Sequence, residues 1–233
     1  MTMKTRDILC DSGSLISLTS ACLDRLLYFF HENYHVRFII PPSVEYESVR
    51  RPLESNLRKY LFSAIRIKSA MEDGVVVKVD ADVAQQTTKF MNAANNMYFA
   101  RGKPLRLIQQ GETEMVALAK ALGVEYILVD ERTTRMLIEA PLKLKEHLEH
   151  EFSVNVMVNK DNLKFLASEI SPLRALRSSE LVMLAYEKGY FRNFQKLQAG
   201  ALEAALYKIK YSGCAISYDE INSYLGSAAQ PAE

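Results

Sequence analysis

Short runs of β-branched and apolar residues alternate along the chain with longer stretches whose apolar positions recur at helical spacing. That alternation is the mark of βαβ units and a parallel sheet. Five runs predict strands: Asp7–Cys10, Val36–Ile40, Val75–Val79, Tyr126–Val129 and Val154–Val158. Several are nearly all apolar, as strands covered on both faces must be. Pro41-Pro42 stops the second run, and Ser43 is placed to cap the helix after it. Asp82 is placed to open a helix reaching about Ala100, which Gly102-Lys103-Pro104 then breaks. Gly111 precedes a helix in which Met115, Leu118, Ala119 and Leu122 share a face, and Gly123 suits its C-cap. No strand is predicted beyond residue 159. Ser171-Pro172 reads as the start of a helix, Ser217–Glu220 as a capping box and Ser227–Glu233 as a frayed end. The expected organisation is an α/β domain over residues 1–158 with a mainly parallel five-stranded sheet, then a helical C-terminal extension over residues 159–233.

Candidate chemistry lies in where a few carboxylates fall on this pattern. Asp11 directly follows the first predicted strand, and Asp130 ends the fourth. Glu47 sits in the helix after the second strand, and Glu112 and Glu114 open the helix that leads to the fourth. In an open parallel sheet, ligands bind outside the carboxyl ends of the strands, where strand order reverses. Carboxylates converging there must protonate or hold a cation. An all-oxygen set suits Mg²⁺ or Mn²⁺. Such an ion activates water and stabilises the leaving oxygen of a phosphodiester displacement. Each acid also has an ordinary structural role: Asp11 as an N-cap, Glu112 and Glu114 at the positive end of a helix dipole, Glu47 on a solvated face. Glu45 and Glu131 read as structural. Only the joint arrangement points to function.

Composition narrows the field. The 233 residues carry 29 Lys and Arg against 28 Asp and Glu, which excludes a uniformly basic, histone-like binder but allows segregated patches. No apolar run approaches the roughly 20 residues of a membrane helix. Asp11 and Ser12 cut short the apolar stretch at the N-terminus, so no secretory segment is expected. Three irregularly spaced cysteines read as reduced thiols of a cytoplasmic protein. Glycine-rich nucleotide motifs are missing, as is a G-x-S-x-G elbow, so Ser12 and Ser14 read as supports of Asp11 rather than nucleophiles. His31, His35, His147 and His150 lack partners at zinc spacing.

At this point the residues resemble a known family. The stretch ILCDSGSLISL is similar to the opening of a PIN domain: an apolar strand, an Asp, small hydroxyl residues, then an apolar helix. PPSVEYESV is similar to its second motif, with Glu47 rather than Glu45 as the acid. GETEMVALAKALGVEYILVDERTTRML resembles the third motif and the strand ending in the fourth acid, Asp130. The resemblance covers roughly residues 5–158 and is most specific in this last block. It implies a three-layer α/β/α sandwich and cleavage of mostly single-stranded RNA dependent on Mg²⁺ or Mn²⁺. Asp11, Glu47, Glu112 and Asp130 would be the catalytic and metal-holding acids, with Glu114 as a second ligand or a support. The alternative is a catalytically silent PIN-like module that binds RNA or assembles with a partner. Flap-like DNA is not separated from RNA by sequence.

Basic residues supply candidate contacts to a phosphate backbone. Arg51–Met71 reads as one amphipathic helix, with Arg51, Arg58, Lys59 and Arg66 opposite the apolar side. Arg101, Lys103 and Arg106 form a second group, and Arg132 and Arg135 follow Asp130 directly. The extension offers apolar faces, Leu181 with Leu184 and Leu202 with Leu206, for a homodimer or a protein partner.

Overall fold

A computed structural model describes residues 6–55 and 57–228. Its strands are β1 (Arg6–Cys10), β2 (Val36–Ile40), β3 (Val76–Lys78), β4 (Tyr98–Ala100), β5 (Lys103–Pro104), β6 (Tyr126–Leu128), β7 (Val156–Val158) and β8 (Arg174–Leu176). Five of them form an all-parallel sheet in the order β3-β2-β1-β6-β8. Chain order therefore reverses between β1 and β6, which makes their carboxyl ends the switch point of the sheet.

Helices cover both faces. α1 (Ser12–Ser20) and α2 (Arg25–Tyr34) link β1 to β2. α3 (Pro42–Glu45), a π-helical turn (Tyr46–Arg50), α4 (Arg51–Glu54) and α5 (Arg58–Glu72) lead to β3. Next come α6 (Ala84–Asn95), α7 (Gln110–Leu122), α8 (Arg132–Glu139), α9 (Pro141–Phe152) and α10 (Lys160–Ile170). The chain closes with α11 (Ser178–Glu187), a 3₁₀ stretch (Tyr190–Leu197), α12 (Gln198–Ser212) and α13 (Tyr218–Ala228). Side chains alternate across the strands, so each strand feeds two cores. Cys10, Phe38, Ile40 and Leu128 join one cluster with α1, α2, α11 and α12. Leu9, Ile39, Ile127 and Val129 join the other with α6, α7 and α10. The fold is a three-layer α/β/α sandwich.

Four predicted strands stand in the sheet; the fifth is a different one. Val156–Val158 pairs antiparallel with β4 in a small second sheet, β5-β4-β7. The fifth parallel strand is β8, from the region expected to be helical. It pairs with β6, and its Leu176 carbonyl accepts from Val129 N at 2.8 Å. Helices after it supply Leu181, Leu202, Leu206 and Ile209 to the first core. Packing therefore does not break at residue 158. The leucines expected to offer a dimer face are, apart from the 37% exposed Leu184, consumed in this core.

Helix boundaries differ in places. Ser171-Pro172 follows the end of α10 instead of starting a helix. Pro41, not Ser43, is the N-cap of α3, with Pro42 at the first helical position. α6 begins after Val83 rather than at Asp82 and stops at Asn95. The Asn95 side-chain carbonyl accepts from Leu107 N and Ile108 N at 2.8 and 3.1 Å, which ties the segment after β5 to the end of α6. Arg101 and Gly102, at φ 51° and 75°, form a two-residue turn between β4 and β5. Two left-handed residues match the twist of such a hairpin. Gly123 at φ 65° ends α7 as predicted. The capping box at Ser217 and Glu220 is present, with bonds of 2.8 and 3.1 Å. The frayed end expected over Ser227–Glu233 is helical to Ala228, and the rest lies outside the described residues. No helix among the described residues is long and apolar enough to cross a membrane.

Candidate active site

At the switch point, Asp11 leaves β1 and caps α1. Its Oδ1 accepts from Ser14 N at 2.6 Å. The Ser14 hydroxyl lies 3.2 Å from Asp11 O and 3.1 Å from Leu128 O, so it ties the ends of β1 and β6 together. A Cβ on Gly13 would sit 3.2 Å from Asp11 Oδ2, so glycine leaves room for that carboxylate. Capping and cleft lining thus coincide in one side chain.

Asp130 leaves the neighbouring strand and is 3% exposed. Ser178, at the start of α11, holds both of its oxygens: the backbone N–H donates to Oδ1 and the hydroxyl to Oδ2, each at 2.8 Å. Sequence reading missed Ser178 because its position depends on β8, which delivers α11 to this spot. Glu131 caps α8 through Thr134 N at 2.6 Å.

Glu47 and Glu45 occupy different surroundings. Glu47 is exposed in the π-helical turn, and its Oε2 accepts from the Ser12 hydroxyl at 2.9 Å, one residue from Asp11. Its carboxylate also lies against Gly111, where a Cβ would be 3.7 Å away. Glu45 is buried and pairs with Arg50 at 3.0 Å and Lys78 at 3.8 Å. On α7, Glu112 closes a capping box by accepting from Gln109 N at 2.5 Å. Glu114, two residues on, is about 200° around the helix from Glu112, which puts it on the opposite side.

These charges affect one another. Burial pushes the Asp11 carboxyl up to about 7. The Ser14 hydrogen bonds oppose that rise, and the charges of Asp130 and Glu112 add to it. Glu112 is raised chiefly by burial, against the Gln109 bond, with Glu131 and Glu47 pushing further. Burial, then the charge of Asp130, pushes the Cys214 thiol up to about 12. Among the described residues, no three acidic, histidine or cysteine side chains gather as a ready metal centre. The donors are nevertheless all hard oxygens, and the repulsion that Asp130 and Glu112 exert on Asp11, and Glu131 and Glu47 on Glu112, is of the kind a divalent cation relieves. In donor chemistry the set fits Mg²⁺ or Mn²⁺.

Asp11 and Asp130 line a cleft of about 700 Å³. Of the nine basic residues expected to contact a backbone, Lys59 and Arg132 line it. Arg66 is instead committed to Asp24 at 2.6 Å, and Arg135 to Glu139 at 3.7 Å. Arg51 and Arg58 flank an unexpected break: the predicted Arg51–Met71 helix is interrupted between α4 and α5. Arg101 and Lys103 stand on the β4–β5 hairpin of the second sheet. Lys208 and Tyr211 of α12 line the cleft unpredicted. Compared with known proteins, the chain matches no protein-family model and no curated protein. Function is therefore read from the residues themselves.

Proposed function

We propose that the protein is a PIN-like, divalent-metal-dependent ribonuclease acting on phosphodiester bonds. The observation that carries this reading is the placement of Asp11 and Asp130 at adjacent strand ends, with Glu47 joined to Ser12 and with Glu112 coupled to Asp11 by charge. Asp11, Glu47, Glu112 and Asp130 would hold Mg²⁺ or Mn²⁺, which supplies a Lewis acid for the water and the phosphate oxygens. Ser14 and Ser178 orient the two aspartates, and Lys59 and Arg132 draw the phosphate backbone toward them. The three cysteines are free, which supports placing the protein in the cytoplasm.

A second reading, a silent RNA-binding or assembly module, draws on the Ser178 bonds that occupy both Asp130 oxygens. One experiment separates the two. Single-stranded RNA incubated with the protein and Mn²⁺ is expected to be cut, with the products lost on adding EDTA. Glu112→Gln keeps the capping bond but is expected to slow cleavage on the order of 10²-fold or more. Equal cleavage by both proteins would remove Glu112 from the site. No cleavage across several RNAs and metals would favour the silent module.

A further inference from the structure

Part of the wall of the cleft comes from beyond residue 158. α12 ends against α1, where the Ser17 hydroxyl donates to Ser212 O at 3.3 Å. Gly213 follows at φ +127°, a conformation that L side chains rarely adopt, and a Cβ there would lie 3.3 Å from Ser17 Oγ. Ala215 N then donates to Asp130 O at 3.2 Å. These contacts pin the last turn of α12 beside both aspartates. Lys208 and Tyr211, three residues apart and so on one helix face, line the cleft with Lys59 and Tyr60 of α5.

Tyr211 is 71% exposed, although a ring of that size gains by burial. Its hydroxyl lies 3.3 Å from that of Tyr218, and its ring is inclined 30° to that of Tyr207 at 6.5 Å. It is thus steadied yet largely uncovered. Lys59, Arg132 and Lys208 make no ion pair among the described residues, whereas Arg66, Lys78, Lys120 and Arg177 are all paired. Unpaired cations beside buried carboxylates complement a polyanion that brings its own divalent ions. An exposed ring beside them complements a base. In a duplex both faces of each base are covered by neighbours, so only an unpaired base can offer a face to the ring.

We propose that α12 is a substrate-binding wall of the nuclease cleft, with Tyr211 stacking on an unpaired base and Lys208 neutralising an adjacent phosphate. This rests on the ribonuclease reading and names a specificity device within it. The test is fluorescence anisotropy with a labelled single-stranded RNA of about a dozen nucleotides, using Glu112→Gln protein so that the strand stays intact. Adding Tyr211→Ala is expected to weaken binding about tenfold, while Tyr211→Phe leaves it unchanged. Lys208→Ala is expected to lower the slope of log affinity against log salt by about 0.7. A duplex of the same sequence should bind Tyr211→Ala and its parent alike. Parental affinity and salt slope in both variants would overturn the wall, whether or not Mn²⁺-dependent cleavage by the unmodified protein upholds the nuclease reading. Failure of the parent to bind RNA at all would overturn both.

Discussion

Asp11→Asn is expected to stop RNA cleavage and, in the same protein, to stabilise the metal-free fold above neutral pH. The loss of rate follows from removing a charged group at the switch point and is put on the order of 10²–10³-fold. The gain in stability follows from linkage. The carboxyl has an ordinary value of 3.8 and is held at about 7 in the fold, mainly by burial. Between those values the folded protein keeps a proton that the unfolded chain releases. Stability therefore falls as pH rises from about 4 to about 7 and is level beyond. At roughly 1.36 kcal/mol per pH unit, the cost at high pH is at most about 4 kcal/mol. Asparagine cannot ionise, and its carbonyl can still cap α1. In EDTA at pH 8 the variant is thus expected to melt higher, at about 2–4 °C per kcal/mol gained. At pH 4 the two proteins should melt alike. Parallel melting profiles across pH 4–8 would show that the Asp11 charge is not strained. Mn²⁺ should narrow the gap by stabilising only the unmodified protein.

The second large effect is expected at Arg177. Its guanidinium is 4% exposed and donates to Glu180 at 2.9 and 3.1 Å and to Glu220 at 2.7 Å. It also donates to the Ala215 carbonyl at 3.2 Å and the Tyr224 hydroxyl at 3.1 Å. One side chain thereby joins α11 to α13 and to the segment that approaches Asp130. Glu180→Gln with Glu220→Gln leaves a buried, unpaired cation and should cost about 3–5 kcal/mol. Arg177→Met leaves two half-exposed carboxylates and should cost less, about 2–3 kcal/mol. Urea midpoints measure both, and hydrogen exchange over Tyr218–Ala228 should speed up first. Burial works against the charged form of Glu220, yet the Ser217 N–H and the Arg177 guanidinium outweigh it and hold the carboxyl at about 2. Stability from that carboxylate is present above its ordinary value of 4.5 and is lost as pH falls through about 2. Arg177→Met should shift acid unfolding upward in pH. An unchanged urea midpoint in both variants would reduce the cluster to a surface contact.

The four strands legible in the sequence are those with enough apolar residues to show a pattern and a clear stop after them, such as Pro41. β8 was not legible because its apolar run is short and interrupted by Arg174 and Arg177, which leaves no period to count. The same limit hid β4 and β5. Asp11 and Asp130 could be placed from the sequence because each lies within two residues of a strand end, whereas Glu47 and Glu112 were placed only by the helices that carry them. The basic residues were not legible, because availability depends on tertiary partners. Arg66 and Lys59 share α5, yet Arg66 meets Asp24 while Lys59 faces the cleft. Ser178 and Tyr211 were out of reach for a related reason: their relevance appears only once β8 and Gly213 bring distant segments to Asp130.

The position of β8 also bears on how the chain can be divided. β6 is flanked by β1 and β8, so its backbone donors and acceptors are met on both sides. A chain cut at residue 158, where the sequence suggests a boundary, would leave β6 as a bare parallel edge and uncover the apolar face that α11 and α12 protect. Such an edge is a template for pairing with other chains. Expressed alone, the first 158 residues would be prone to aggregate, and a failure of that fragment to cut RNA would say nothing about the chemistry of its carboxylates.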